Sequence, residues 1–240
     1  MSNPPAQIPA RERVIVALDV PDRNALAALL DRLDGRPVFY KVGLELFVAE
    51  GERAIELVRA RGGRVFLDLK LHDIPETVAR AVASAARIDA ELLTVHTSGG
   101  YEMLARAADA AAGRVKLLGV TVLTSLAEDD LRAEGIEQSI PEMVRARARI
   151  AARAGIAGLV CSPHEIDAAR SAAPGLLLVV PGIRPTEGAG AARGDQKRVA
   201  TATQAATHGA HYLVVGRPVR DAADPVAAFE GLVREVEAAG

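Results

Sequence analysis

A chain of 240 residues, half of it hydrophobic, suits one large domain or two small ones and can bury a substantial core. A formal charge of −2 gives no basic stripe for nucleic acid, and 3% aromatics without tryptophan leaves no platform for stacked bases. The single cysteine, Cys161, excludes an internal disulfide framework and fits a reducing compartment, and no apolar run reaches the roughly 18 residues that span a bilayer.

The N-terminal segment lacks a charged start followed by an apolar stretch, so it does not read as a signal peptide. With Pro4, Pro5 and Pro9 it reads as a flexible arm over residues 1–12, and the chain as cytoplasmic. Short apolar runs then alternate with helical patterns. Strands are expected at Arg13–Leu18, Val38–Val42, from Val65, at Leu92–Val95, Val115–Val122, Gly158–Val160, Leu176–Val180 and Tyr212–Val215. Leu26, Leu29, Leu30 and Leu33 mark a helix over 23–33. Residues 44–61 read as one helix closed by Gly62 and Gly63. Pro75 suits the first turn of a helix reaching about Ile88, and an Ala-rich helix follows Gly99-Gly100. An insertion after the fifth strand carries helical patterns through Ala133 and over 140–154, and the last helix begins near Asp224.

Eight strand–helix units without a composition break predict an α/β fold, a single (β/α)8 TIM barrel over 13–240. A doubly wound open sheet is the competing architecture. The barrel is favoured because Asp19, Lys41, Asp68, Lys70, His96, Thr124, Arg184 and Arg217 all fall near the C-terminal ends of strands, which converge on one mouth only if the sheet closes.

The densest charge lies in the run from Val65 to Pro75. Val65, Leu67, Leu69 and Leu71 alternate on one face, which leaves Phe66, Asp68 and Lys70 on the other, and Asp73 leaves the strand end. Charges at such a junction are costly unless paired. They form either a simple Asp–Lys salt bridge or a lysine held between carboxylates and able to deliver a proton. In a barrel Lys41 would stand beside this strand, with Asp19 on its far side, so that carboxylates and ammoniums alternate.

The C-terminal third carries a phosphate pattern. Pro181-Gly182-Ile183-Arg184 follows the seventh strand and Gly216-Arg217 the eighth, where barrel loops often hold phosphate. Gly216 would let backbone approach an anion and Arg217 would contact it. The Gly/Ala-rich stretch 188–198 reads as a mobile loop able to close over a ligand. Cys161 reads as a small core residue, the five histidines form no metal pattern, and Arg145, Arg147 and Arg149 read as a solvated helix face.

With Asp68-x-Lys70-x-x-Asp73 in place, the chain resembles the orotidine 5′-phosphate decarboxylases of the bacterial type. The likeness runs from Val14 to the last helix and rests on Ala17-Leu18-Asp19, Lys41-Val42-Gly43, Phe66 through Pro75, Val95-His96, Leu123-Thr124-Ser125, Pro181 through Arg184, Gly194 through Thr201 and Val215-Gly216-Arg217. One departure is Ala202, where the family usually has proline.

The resemblance implies cofactor-free decarboxylation of orotidine 5′-phosphate to UMP in pyrimidine biosynthesis, with no metal. It implies Asp68 against the substrate carboxylate, Lys70 as proton donor, and Lys41 and Asp19 on the ribose hydroxyls and the charge network. Thr124 would contact the pyrimidine, Gln196 would bridge base and phosphate, and Gly216, Arg217 and Arg184 would serve the phosphate. Ile74 and Pro181 are counted with the substrate contacts. Asp73 and Thr77 would reach the partner's site in a homodimer, with no nucleic acid or membrane partner. Two alternatives stand beside this: a metal-dependent sugar-phosphate decarboxylase or aldolase on the same barrel, and a non-catalytic nucleotide-binding protein.

Overall fold

The computed structural model describes residues 8–185 and 198–239. Eight parallel strands close into a barrel: β1 (Val14–Ala17), β2 (Phe39–Gly43), β3 (Arg64–Leu71), β4 (Leu92–His96), β5 (Lys116–Val120), β6 (Gly158–Val160), β7 (Leu177–Val180) and β10 (Tyr212–Val215), with β10 pairing back onto β1. A short parallel ladder of β8 (Ile183–Arg184) and β9 (Ala200–Thr201) stands apart from it. The open-sheet alternative is excluded by the β1–β10 closure.

Period-two alternation sorts the strand side chains. Val14, Val16, Tyr40, Val42, Val65, Leu67, Leu93 and Val95 point outward and pack under the helices. Ile15, Ala17, Phe39, Phe66, Leu92, Leu118, Tyr212 and Val214 point inward and fill the barrel. Phe39 meets Tyr212 edge-on at 5.7 Å. Arg64, at the start of β3, stacks over the Phe39 ring at 4.4 Å and forks onto Glu91 at 2.7 and 2.8 Å. The N-terminal end of the barrel is thus plugged by apolar rings and a paired arginine. Two residues further along each chain segment, the inward positions become polar: Asp19, Lys41, Asp68 and Thr94. That switch places the chemistry at the C-terminal mouth.

The elements follow local chemistry. The helix Arg23–Leu33 is capped by Asp22, whose side chain accepts from the Ala25 amide at 2.8 Å, and Pro75 opens the helix Pro75–Ala85. Three expectations need correction. Residues 44–61 form two helices, Leu44–Glu50 and Glu52–Ala60, because Gly51 at φ 58° breaks the ladder. The helix after Pro75 stops at Ala85 rather than Ile88. Arg147 is not solvated: it is half-buried and donates to the Thr121 carbonyl beside β5, so that only Arg149 of the three arginines is openly exposed. The end of the expected arm, Ala10–Arg13, is a helical turn fastened by Arg11 to Glu230 at 2.8 Å and by Glu12 to Arg64 at 2.6 Å.

Candidate active site

Four charged side chains from three adjacent strands form a line across the mouth. The Lys41 ammonium lies 2.9 Å from Asp19 Oδ1 and 3.6 Å from Asp68 Oδ2, and the Lys70 ammonium lies 2.8 Å from the same Asp68 oxygen. Their order is therefore carboxylate, ammonium, carboxylate, ammonium. It arises from register: Ala17 pairs with Lys41 and Gly43 with Asp68, which puts the ends of β1, β2 and β3 side by side.

Electrostatics keeps the lattice charged. Burial alone would push the Lys41 pKa down, but the Asp68 and Asp19 carboxylates outweigh it and hold the ammonium above its ordinary range. Burial likewise favours protonated Asp68, and Lys41, Lys70 and the Thr94 hydroxyl overcome it, so Asp68 stays ionised. Among the chain's 29 lysines and arginines, lysine stands only at 41, 70, 116 and 197. Two of the four are in this mouth. A guanidinium binds charge but does not release a proton near neutrality, whereas an ammonium can do both.

β3 is not a regular strand at this point. Leu67 pairs with Leu93 and Leu71 with Val95, so four residues of β3 span what two span on β4. Lys70 sits at φ 51°, a left-handed conformation that costs a non-glycine residue about 1–2 kcal/mol. Its amide, displaced from the ladder, donates to the Thr94 hydroxyl at 2.8 Å, and that hydroxyl donates to Asp68 Oδ1 at 3.0 Å. Gly43 leaves the room the ion pair uses. A Cβ there would lie 2.9 Å from the Lys41 nitrogen and 3.0 Å from Asp19 Oδ1.

The lattice forms one wall of a cavity of about 460 Å³. Val120, Val122 and Leu123 supply an apolar face with Thr124 beside it, and Pro181, Arg184, Gly216 and Arg217 complete the lining, with Gly216 next to Asp19 because β10 pairs with β1. Arg184 has no carboxylate partner among the described residues. Burial and the neighbouring Arg217 both lower its pKa, as expected where two cations face a space that an anion would fill. Arg220 also lines the cavity and donates to the Asp19 carbonyl at 2.6 Å.

The structure thus gathers Asp19, Lys41, Asp68, Lys70, Thr124, Pro181, Arg184, Gly216 and Arg217 around one cavity. Asp73, Ile74 and Thr77 are not among the described residues that line it; all three are exposed, and among the described residues Asp73 accepts only the Ile74 amide, at 2.6 Å. Gln196 and loop residues 188–197 lie outside the described residues. Cys161 is buried and its thiol is pushed up to about 12 by burial, which makes it a core residue. Sequence reasoning missed Thr94, Gly43 as a space-giver, and Arg220. Thr94 could have been found, since it holds the inward position between Leu92 and His96. Among the described residues, no group of three or more His, Cys, Asp or Glu side chains is placed to hold a metal ion.

Comparison with known proteins gives a consistent result. Residues 12–232 match the model of the family described as orotidine 5′-phosphate decarboxylase / HUMPS. The orotidine 5′-phosphate decarboxylase of Moorella thermoacetica is 47% identical over 95% of this chain and 93% of its own length. That of Rhodopseudomonas palustris is 49% identical over 98% of each. The crystal structure of orotidine 5′-phosphate decarboxylase from Lactobacillus acidophilus superposes with a TM-score of 0.82 at 36% identity, over 94% of this chain and 99% of that one.

Proposed function

The chain belongs to the orotidine 5′-phosphate decarboxylase / HUMPS family, and we propose on that premise that it decarboxylates orotidine 5′-phosphate to UMP in pyrimidine biosynthesis. The observation that carries the proposal is the line Asp19–Lys41–Asp68–Lys70 along one wall of a nucleotide-sized cavity that Arg184 and Arg217 also line.

The chemistry follows from charge. Breaking the carbon–carboxylate bond releases carbon dioxide and leaves the electron pair on a ring carbon with no adjacent electron sink. An ammonium fixed close to that carbon stabilises the charge as it develops, then transfers its proton to form UMP. Lys70 is assigned that role, and its neutral amine regains a proton from water. Asp68 stands against the substrate carboxylate and fixes both lysines. Asp19 and Lys41 take the ribose hydroxyls, and Thr124 takes the pyrimidine edge against the apolar face. Arg217, Gly216 and Arg184 take the phosphate, with Pro181 beside them and Gln196 bridging base and phosphate. Phosphate binding far from the reacting carbon supplies energy that orients the base.

The site is completed by a second copy. Asp73 has no ion-pair partner among the described residues, and Ile74 is 67% exposed. Both suit an origin for Asp73, Ile74 and Thr77 in the partner's site, and hence a homodimer. A buried free cysteine suits a cytoplasmic enzyme. No helix of the described residues is long and apolar enough to cross a membrane.

A metal-dependent lyase on the same barrel would need free carboxylate oxygens. Asp68 instead spends one oxygen on Lys41 and Lys70 and the other on Thr94. The test is to treat purified protein with EDTA, mix it with orotidine 5′-phosphate and follow the ultraviolet absorbance. Loss of the substrate band at an undiminished rate supports the proposal. Loss of activity on chelation points to the metal enzyme, and an unchanged ligand to a binding protein.

A further inference from the structure

We propose that Thr94 is the positioning residue for Lys70 and Asp68, a role that rests on the decarboxylase reading above. Thr94 is completely buried, yet it touches the two groups that matter most and does not line the cavity. Its hydroxyl accepts from the Lys70 amide at 2.8 Å and donates to Asp68 Oδ1 at 3.0 Å.

The direction of these bonds is forced. An amide can only donate, and an ionised carboxylate can only accept, so the single hydroxyl proton must point at Asp68. One oxygen therefore ties the backbone from which Lys70 springs to the carboxylate that holds its ammonium. The Lys70 ammonium closes the ring through Asp68 Oδ2 at 2.8 Å. Lys70 backbone, Thr94 hydroxyl, Asp68 carboxylate and Lys70 ammonium form one closed loop of contacts.

The loop answers a need created by the strand itself. The bulge in β3 takes the Lys70 amide out of register with β4, and the residue is held at φ 51°. A regular strand would have sent that amide to a backbone carbonyl. Here a side chain replaces the carbonyl, and the only inward-facing hydroxyl on β4 does so. Without it the amide and one carboxylate oxygen would each lose a partner in a buried place, and the bulge could relax toward a regular ladder. The ammonium would then move relative to the cavity.

The test compares Thr94→Val, which keeps shape and removes the hydroxyl, with Thr94→Ser, which keeps the hydroxyl. In Thr94→Val, kcat should fall at least thirtyfold while KM changes less than threefold, because the phosphate and ribose contacts are untouched. Thr94→Ser should recover kcat to within about fivefold of the parent. A second readout needs no substrate: hydrogen exchange at the Lys70 amide should speed up at least tenfold in Thr94→Val and stay near the parent rate in Thr94→Ser. Parent-like exchange and turnover in a folded Thr94→Val protein would overturn the proposal, as would equal loss of kcat in both variants. If the parent protein does not act on orotidine 5′-phosphate, the decarboxylase reading fails by itself, and the exchange rates still decide whether Thr94 holds Lys70.

Discussion

Adding one methyl group at Gly43 tests the lattice without removing any charge. Gly43 lies at φ −93° and ψ −177°, a conformation open to any residue, so Gly43→Ala brings no backbone strain. The new methyl would stand 2.9 Å from the Lys41 nitrogen and 3.0 Å from Asp19 Oδ1. Ordinary contact is about 3.5–4.0 Å, so the pair must give way by roughly half an ångström or more. Lys41 is the tip of a flexible chain and Asp19 is part-exposed, so the fold can absorb the change, and stability should move by no more than about 1 kcal/mol. Function cannot absorb it as easily. Lys41 sits 3.6 Å from Asp68, at the limit of an ion pair. Weakening one charge-assisted hydrogen bond is worth about 1.5–3 kcal/mol, or roughly 10- to 100-fold in rate. The assay pairs urea unfolding with kcat/KM, in parent and Lys41→Ala backgrounds. With no ammonium to meet, the methyl should add less than about threefold in the second background, read on nucleotide affinity where turnover is too slow. A fully active Gly43→Ala, or equal losses in both backgrounds, would show that the Lys41 ammonium does not depend on the space Gly43 leaves.

Other outcomes follow from the same geometry. Arg217→Ala should raise KM for the nucleotide by about tenfold or more and weaken phosphate-dependent product binding, since it removes one charged fork; an unchanged KM would remove Arg217 from the phosphate site. Lys70→Ala and Asp73→Ala proteins, each inactive alone, should regain roughly a quarter of parental sites when mixed and allowed to exchange subunits, as expected for an isologous dimer with shared sites. No recovery, with exchange demonstrated, would place both residues in one subunit's site. His96 is lowered to about 4 by burial, then by His72, Lys70 and Arg147. The unfolded ring takes up its proton near its ordinary value, so stability is fully present above about pH 6.5 and declines as pH falls toward 4. A part-exposed ring reduces the full effect to about 1–2 kcal/mol after screening. His96→Gln should flatten the curve between those limits in urea unfolding, and an identical acid loss in the variant would assign it elsewhere.

The order of charges was legible because it depends only on alternation and on strand sequence. Phe39 and Lys41, or Phe66 and Asp68, point the same way whatever surrounds them, and closure then makes β1, β2 and β3 neighbours. What was not legible depends on register between strands. The bulge at Lys70 exists only relative to β4, and so does the bond from Lys70 to Thr94. Gly51 could have been a tolerated helix glycine; its positive φ reflects how the two short helices turn over the barrel. Arg147 looked solvated because it alternates with Arg145 and Arg149 along one helix, whereas its partner, the Thr121 carbonyl, comes from just past the end of β5. The apolar pattern thus located the mouth of the barrel, and long-range pairing decided how the side chains in it are held.

The most direct measurement is single-turnover decarboxylation by Lys70→Ala alongside the parent, each treated with EDTA, with UMP affinity measured in parallel. Turnover should be lost by at least about a thousandfold, as for removal of a preorganised charge and its proton, while UMP still binds through Arg184 and Arg217. Parent-like turnover by the folded variant would contradict the role assigned to Lys70.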